Sequence, residues 1–125
     1  MENAQNMEIF KDIKGYPGYQ ISNKGRIWSC KRQRYLNPFT NNSGYKVINI
    51  IAANGKRKGE LIHRLVALHF INNPEGKPEV NHIDRDKENN CVENLEWVTH
   101  GENNTIGRKA HYTHSEEWFE KRKNN

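Results

Sequence analysis

Between residues 81 and 104 the chain places Asn81-His82, Asn89-Asn90, Asn94 and Asn103-Asn104 in one window that also holds Asp84, Arg85 and Asp86. Imidazole can take a proton from water near neutral pH, and it is also a common metal ligand. A catalytic base or a metal ligand is therefore one use of the histidine in this window. Asn also has an ordinary use as a turn residue, which accounts for Asn89 and Asn90 in a polar loop. Asn81 and His82 are harder to place in that way, because they break the apolar pattern of an extended run, Glu79 to Ile83. On local sequence His82 reads equally as a catalytic base or metal ligand and as a polar strand residue.

These residues need elements to position them. EIFKDIKGYPGYQISNKGRIWSC alternates short β-prone runs with the turn signals Gly15, Pro17-Gly18 and Asn23-Lys24-Gly25. Asn41-Asn42-Ser43-Gly44 and Asn54-Gly55 then flank the β-branched run Tyr45 to Ile51, so the first sixty residues are expected to form a small antiparallel sheet. The period changes at Leu61. Leu61, Leu65 and Leu68, with Ile62, Val66 and Phe70 beside them, predict a helix over 61–71 stopped by Pro74, its apolar face a core element of the second half. Two extended pieces follow, Glu79 to Ile83 and Leu95 to Val98, joined by a polar loop. Thr99-His100-Gly101-Glu102 has capping-box spacing and predicts a helix from about His100. The fold class is α+β: a small N-terminal antiparallel β module, a helix, then strand, loop, strand and helix. The tail, HSEEWFEKRKNN, is read as a short helix through Trp118 and Phe119 or as irregular chain.

Bulk properties narrow the partner. A chain of 125 residues, 34% hydrophobic and 28% charged, has room for a thin core and excludes a large two-domain enzyme. Twenty Lys and Arg against fifteen Asp and Glu give +5 and a pI near 9.3, which suits a polyanion. Cys30 and Cys91 form no CxxC pair and no disulfide framework, so they are expected to be reduced thiols in a cytoplasmic protein. No run has the apolar length of a signal peptide or a membrane span, and no membrane partner is expected.

The string HRLVALHFINNPEGKPEVNHIDRDKENNCVENLEWVTHGENN, residues 63–104, resembles the HNH domain of phage and intron-encoded homing endonucleases. The segment before it, FKDIKGYPGYQISNKGRIWS, resembles the nuclease-associated modular motif often found upstream of that domain. The resemblance implies a ββα-metal nuclease: residues 8–58 a β-rich DNA-binding segment, 59–110 the HNH nuclease, 111–125 a tail. It assigns His82 as the general base, Asn81 and Asn103 as the protein ligands of one Mg²⁺ or Mn²⁺, and Asn94 as the Asn that orients the His-bearing strand and loop. Many such sites have Asp where this chain has Asn81, and the missing charge predicts weak affinity for free metal. His63 and His69 are read as structural histidines of the helix, and His100 as a capping or solvent residue.

DNA is the implied partner. Arg26, Lys31, Arg32, Arg34, Lys56, Arg57, Arg85, Arg108 and Lys109 are the candidate phosphate contacts, against the ordinary reading of solvated surface charge. Tyr16, Tyr19 and Trp28 are read as sheet core or as parts of a ribbon that enters a groove. Family members commonly carry a further reading module, such as a helix-turn-helix. Its absence from this sequence leads to an expectation of looser recognition, with a monomer nicking one strand. The rival class is an HNH scaffold kept as a DNA- or protein-binding regulator or inhibitor, with weak or no catalysis.

Overall fold

The computed structural model describes residues 7–103. It contains strands β1 (Phe10–Asp12), β2 (Tyr19–Ser22), β3 (Ile27–Ser29), β4 (Arg34–Tyr35), β5 (Phe39–Thr40), β6 (Lys46–Ile51) and β7 (Arg57–Leu61). Helix α1 (Ile62–Phe70) comes next, then β8 (Glu79–His82), a 3-10 turn (Val92–Asn94), β9 (Leu95–Val98) and the start of a second helix, α2, over residues 100–103. All strand pairs are antiparallel. The expected single N-terminal sheet is two: β1-β2-β3-β4, and β5-β6-β7. Strands β4 and β5 are only two residues each, and the segment between them, Leu36 to Pro38, redirects the chain before a common ladder forms. Pro38 removes one ladder donor there.

Helix α1 lies at the centre. Its buried residues are Ile62, His63, Leu65, Val66 and Ala67, while Leu68 is 60% exposed. The core-facing arc thus takes in Ile62, Leu65 and Val66 of the predicted apolar face and leaves Leu68 out. A helix touching β2, β6, β7, β8 and β9 must bury a wide face, and the arc that meets all of them excludes Leu68. The helix ends at Phe70, before Pro74, with Ile71 N–H bonded to the Ala67 carbonyl. Around it, Ile13, Ile21 and Ile27 from the first sheet, Ile48 and Ile50 from the second, and Val80, Leu95 and Trp97 from β8 and β9 form one apolar core. The two stretches of sequence therefore fold around shared material. None of the helices among the described residues is long and apolar enough to cross a membrane.

The contact that matters for the site lies between the β2–β3 turn and the β8–β9 loop. Val92 N–H donates to the Asn23 carbonyl at 2.8 Å. Gly25 has φ +87, and a Cβ there would stand 3.0 Å from Asn90 Cβ and 3.2 Å from its carbonyl oxygen. Asn23 braces this turn: its Oδ1 accepts from Ile9 N–H and its Nδ2 donates to the Met7 carbonyl. The second sheet grips the same loop from its β5–β6 turn, where Lys87 Nζ donates to the Ser43 carbonyl and Glu88 pairs with Lys46. The N-terminal sheets thus hold the polar loop in place. Gly25→Ala should destabilise the protein by about 2 kcal/mol, combining a left-handed backbone penalty with displacement of Asn90. Urea denaturation checks this, and an unchanged midpoint would show that the turn does not constrain the loop.

Candidate active site

The loop between β8 and β9 is organised by reciprocal hydrogen bonds. Asn94 Oδ1 accepts from Asp84 N–H at 3.0 Å, while its Nδ2 donates to Asp84 Oδ1 and to the Asn89 carbonyl, each at 2.9 Å. Asn89 Nδ2 donates to Asp84 Oδ2, and the Asn94 carbonyl accepts from Ile83 N–H, both at 2.8 Å. Partial burial raises the Asp84 pKa, but hydrogen bonds from Asn89, the Asp86 N–H and Asn94 outweigh it and hold the carboxyl below its ordinary value. Asn94 is buried, and its side chain is spent on this knot. Asp84, the centre of the knot, carries no signal in the sequence beyond its place in a polar loop.

The knot delivers Asn90 to His82. Asn90 is only 6% exposed, and its Oδ1 lies 2.7 Å from His82 Nε2. A carbonyl oxygen accepts, so Nε2 carries the hydrogen and the lone pair of the neutral ring sits on Nδ1. Asn90, read from sequence as a turn residue, is thus the side chain that sets the His82 tautomer. Periodicity could not reveal it, because its position depends on the close approach at Gly25.

A stack of rings supports His82. His63 lies 4.8 Å from it and Tyr45 lies 4.9 Å from His63, centroid to centroid. His63 is 5% exposed, and burial, with a smaller contribution from the neighbouring His82, pushes its pKa down to about 4. It is therefore an uncharged ring under His82. His69 is structural: Lys14 N–H donates to its Nε2, so its Nδ1–H donates to the Leu65 carbonyl.

Tyr45, Val80, Asn81, His82, Arg85, Lys87 and Asn103 line a pocket of about 160 Å³. Residues Asn81, His82 and Asn103, separated in sequence, thus meet in one place. Asn103 arrives on α2, which opens with the predicted capping box: Glu102 N–H donates to Thr99 Oγ1 and Thr99 N–H to Glu102 Oε1, both at 3.0 Å. Asn103 Nδ2 donates to Glu79 Oε1 at 2.7 Å, which turns its Oδ1 away from that carboxylate. Asn81 Nδ2 is buried without a hydrogen-bond partner. A half-turn of that amide puts an oxygen at the same spot, so both amides can offer oxygen to a hard cation. Among the described residues no group of three His, Cys, Asp or Glu is placed to hold a metal, and the pocket lining contains no carboxylate. The donor set fits a weakly held cation that shares its ligands with an anion, and Arg85 and Lys87 are placed to attract such an anion.

The basic candidates divide. Lys31, Arg32, Arg34 and Arg57 line a groove of about 540 Å³ with Tyr19, Tyr35, Phe39 and Ile51. Lys56 is exposed in the β6–β7 turn. Arg26 is engaged: Glu8 accepts from its Nε and Nη2, and its guanidinium lies 3.9 Å over the Tyr35 ring. Arg108, Lys109 and the tail lie outside the described residues. Tyr16 is buried in the core, and Trp28 packs edge-on against Tyr35. His100 is exposed, with Nδ1 2.7 Å from Glu79 Oε2. Cys30 and Cys91 are free thiols.

Residues 60–105 match the HNH endonuclease family, and residues 8–51 match the NUMOD4 motif. The chain belongs to the HNH endonucleases that carry a NUMOD4 motif. It is 44% identical over 91 residues to DNA endonuclease I-HmuI of Bacillus phage SP01, covering 72% of this chain and 52% of that one. An uncharacterised HNH endonuclease of Acanthamoeba polyphaga mimivirus is 44% identical over 85 residues, 68% of this chain and 26% of the other. H-N-H endonuclease F-TflII of Escherichia phage T5 is 36% identical over 95 residues, 74% of this chain and 49% of that one. The chain thus spans about half the length, or less, of these relatives. A solved structure describing DNA binding and cleavage by the HNH homing endonuclease I-HmuI superposes with a TM-score of 0.75 at 36% identity, over 90% of this chain and 64% of that one. The α+β architecture of this chain is therefore that of an I-HmuI-like HNH fold.

The ring stack makes a pH test possible. Folding keeps His63 neutral down to about 4, whereas the unfolded ring takes its proton near 6.5. Between those values the unfolded state binds more protons, so the stabilisation is fully present above 6.5 and is lost as pH falls towards 4. His63 should account for about 3 kcal/mol across that window. Urea denaturation of wild type and His63→Phe at pH 7.5 and 4.5 checks it: the wild type should lose more stability on acidification, and equal losses would contradict the assignment.

Proposed function

We propose that this chain is a Mg²⁺- or Mn²⁺-dependent DNA endonuclease that acts as a monomer and nicks one strand, with His82 as its general base. The observation that carries this reading is the commitment of His82 Nε2 to Asn90, which leaves Nδ1 as a proton acceptor in the pocket shared with Asn81 and Asn103. The DNA binding and cleavage described for I-HmuI support DNA as the substrate. Relatives from phages support a host-cell cytoplasm as the place of action.

In this reading Asn81 and Asn103 hold one divalent ion. When bound, the ion polarises the phosphoryl oxygens and stabilises the leaving 3′ oxygen. His82 Nδ1 takes the proton from the attacking water. The ring then becomes cationic, and its Nε2–H bond to Asn90 becomes charge-assisted and stronger, so Asn90 favours the protonated base as well as orienting it. Asn94 and Asp84 keep Asn90 within reach. Arg85 and Lys87 attract the scissile phosphate. Arg85 adopts φ 69, a left-handed conformation that costs a non-Gly residue about 1–2 kcal/mol, and a role towards phosphate accounts for Arg at that turn position. Lys31, Arg32, Arg34 and Arg57 grip the DNA backbone along their groove, a salt-sensitive contact with little sequence information.

A supercoiled-plasmid assay with Mg²⁺, Mn²⁺ or EDTA tests the reading. Wild type should give metal-dependent open circles, and His82→Ala should lower the rate by about 10²- to 10⁴-fold. Asn90→Ala should fall between the two. Equal and negligible nicking by wild type and His82→Ala, with DNA binding retained, would favour a binding protein built on the same scaffold.

Metal affinity gives a second check. With neutral amides and two cations at the pocket, isothermal titration of the protein alone should show little Mg²⁺ binding, and Asn81→Asp should tighten it. Tight binding by the DNA-free wild type would contradict the proposed ligand set.

A further inference from the structure

Residues Glu79 and Asn81 are two positions apart on β8 and point to the same face of the β8–β9 ladder. That face meets α2. Glu79 Oε1 accepts from Asn103 Nδ2 at 2.7 Å, and Oε2 lies 2.7 Å from His100 Nδ1. One carboxylate therefore binds the candidate metal-ligating amide and a second side chain on the same turn of α2. An Asn amide can present either end to a pocket, and only one end can ligate a cation. Here the nitrogen end is occupied by an acceptor that cannot exchange roles, which directs Oδ1 away from it.

We propose that Glu79 is the positioning residue of the cation site, holding Asn103 with its oxygen available and supplying, one strand pitch from Asn81, the negative charge that Asn81 lacks. This rests on the metal-dependent reading above. A carboxylate that hydrogen-bonds a ligand acts on the ion in two ways. It fixes the ligand's orientation, and by polarising the amide it makes Oδ1 a better donor. Its charge also lowers the potential at a pocket otherwise lined by Arg85 and Lys87. Glu96 lies opposite Asn81 in the ladder, but the carboxylate bonded to Asn103 is that of Glu79.

The test compares the full-length wild type, Glu79→Gln and Glu79→Val. Gln keeps an oxygen acceptor for Asn103 without the charge, and Val removes both. Two-dimensional NMR of ¹⁵N-labelled protein reads the Asn103 side-chain amide without metal: its two protons should be widely separated in wild type and Gln, and collapsed towards the free-amide position in Val. Mn²⁺ is then titrated into each protein bound to a duplex with an uncleavable phosphorothioate backbone, followed by water-proton relaxation. Affinity should fall in the order wild type, Gln, Val, with Val about 10- to 100-fold weaker than wild type. Equal Mn²⁺ affinities in all three proteins overturn the role of Glu79 and leave the metal-dependent reading intact. A Gln variant as weak as Val, or an Asn103 amide indifferent to the substitutions, overturns the positioning role. Failure of the wild type to bind Mn²⁺ on DNA overturns the metal-dependent reading and this proposal with it.

Discussion

The hydrogen bond between His82 Nε2 and Asn90 Oδ1 is the constraint around which the site is arranged. A free imidazole in water exchanges its proton between two nitrogens and turns about χ2. Here one buried oxygen removes both freedoms, so in the neutral ring Nδ1 is left as the proton acceptor. Asn90 has little room to move: the Gly25 backbone passes so close that a side chain there would meet its Cβ and carbonyl, Asn23 accepts from Val92 just beyond it, and Asn94 and Asp84 close the loop on the other side.

The NUMOD4 stretch therefore does more than present basic residues. Its β2–β3 turn is one wall of the cradle that holds the HNH loop, and its isoleucines share a core with α1, β8 and β9. A small chain with a thin core benefits from this arrangement, since each apolar element covers more than one neighbour. The polar loop, which sends Val92 against the core, is otherwise held by hydrogen bonds to turns of both sheets. The basic groove lies on the same two sheets, so a single frame carries both the proposed DNA grip and the proposed catalytic loop.

Electrostatics divide the site. His82 sits above an uncharged His63, on the apolar side of β8, whereas Asn81 and Glu79 lie on the opposite side with α2. In the proposed chemistry the proton acceptor and the cation ligands reach one pocket from opposite faces of the strand, and Arg85 and Lys87 line the same pocket. The pleat of four residues, Glu79 to His82, is enough to make this division.

Much of this was legible in the amino-acid order. Period-two and period-3.6 patterns located β8, β9 and α1 to within a residue or two, the Thr99–Glu102 spacing marked the start of α2, and Asn81, His82 and Asn103, singled out by the resemblance, line one pocket. Those features are local, so short-range pattern and residue type suffice to express them. What only the tertiary structure decided depends on contacts between distant segments: the division of the N-terminal strands into two sheets, the exposure of Leu68, the engagement of Arg26 by Glu8, and above all the partners of the site residues. Asn90 and Glu79 look like loop and surface residues in sequence. They gain their hydrogen bonds to His82 and Asn103 because a glycine turn and a capped helix are brought against them, and no local pattern encodes a meeting of that kind.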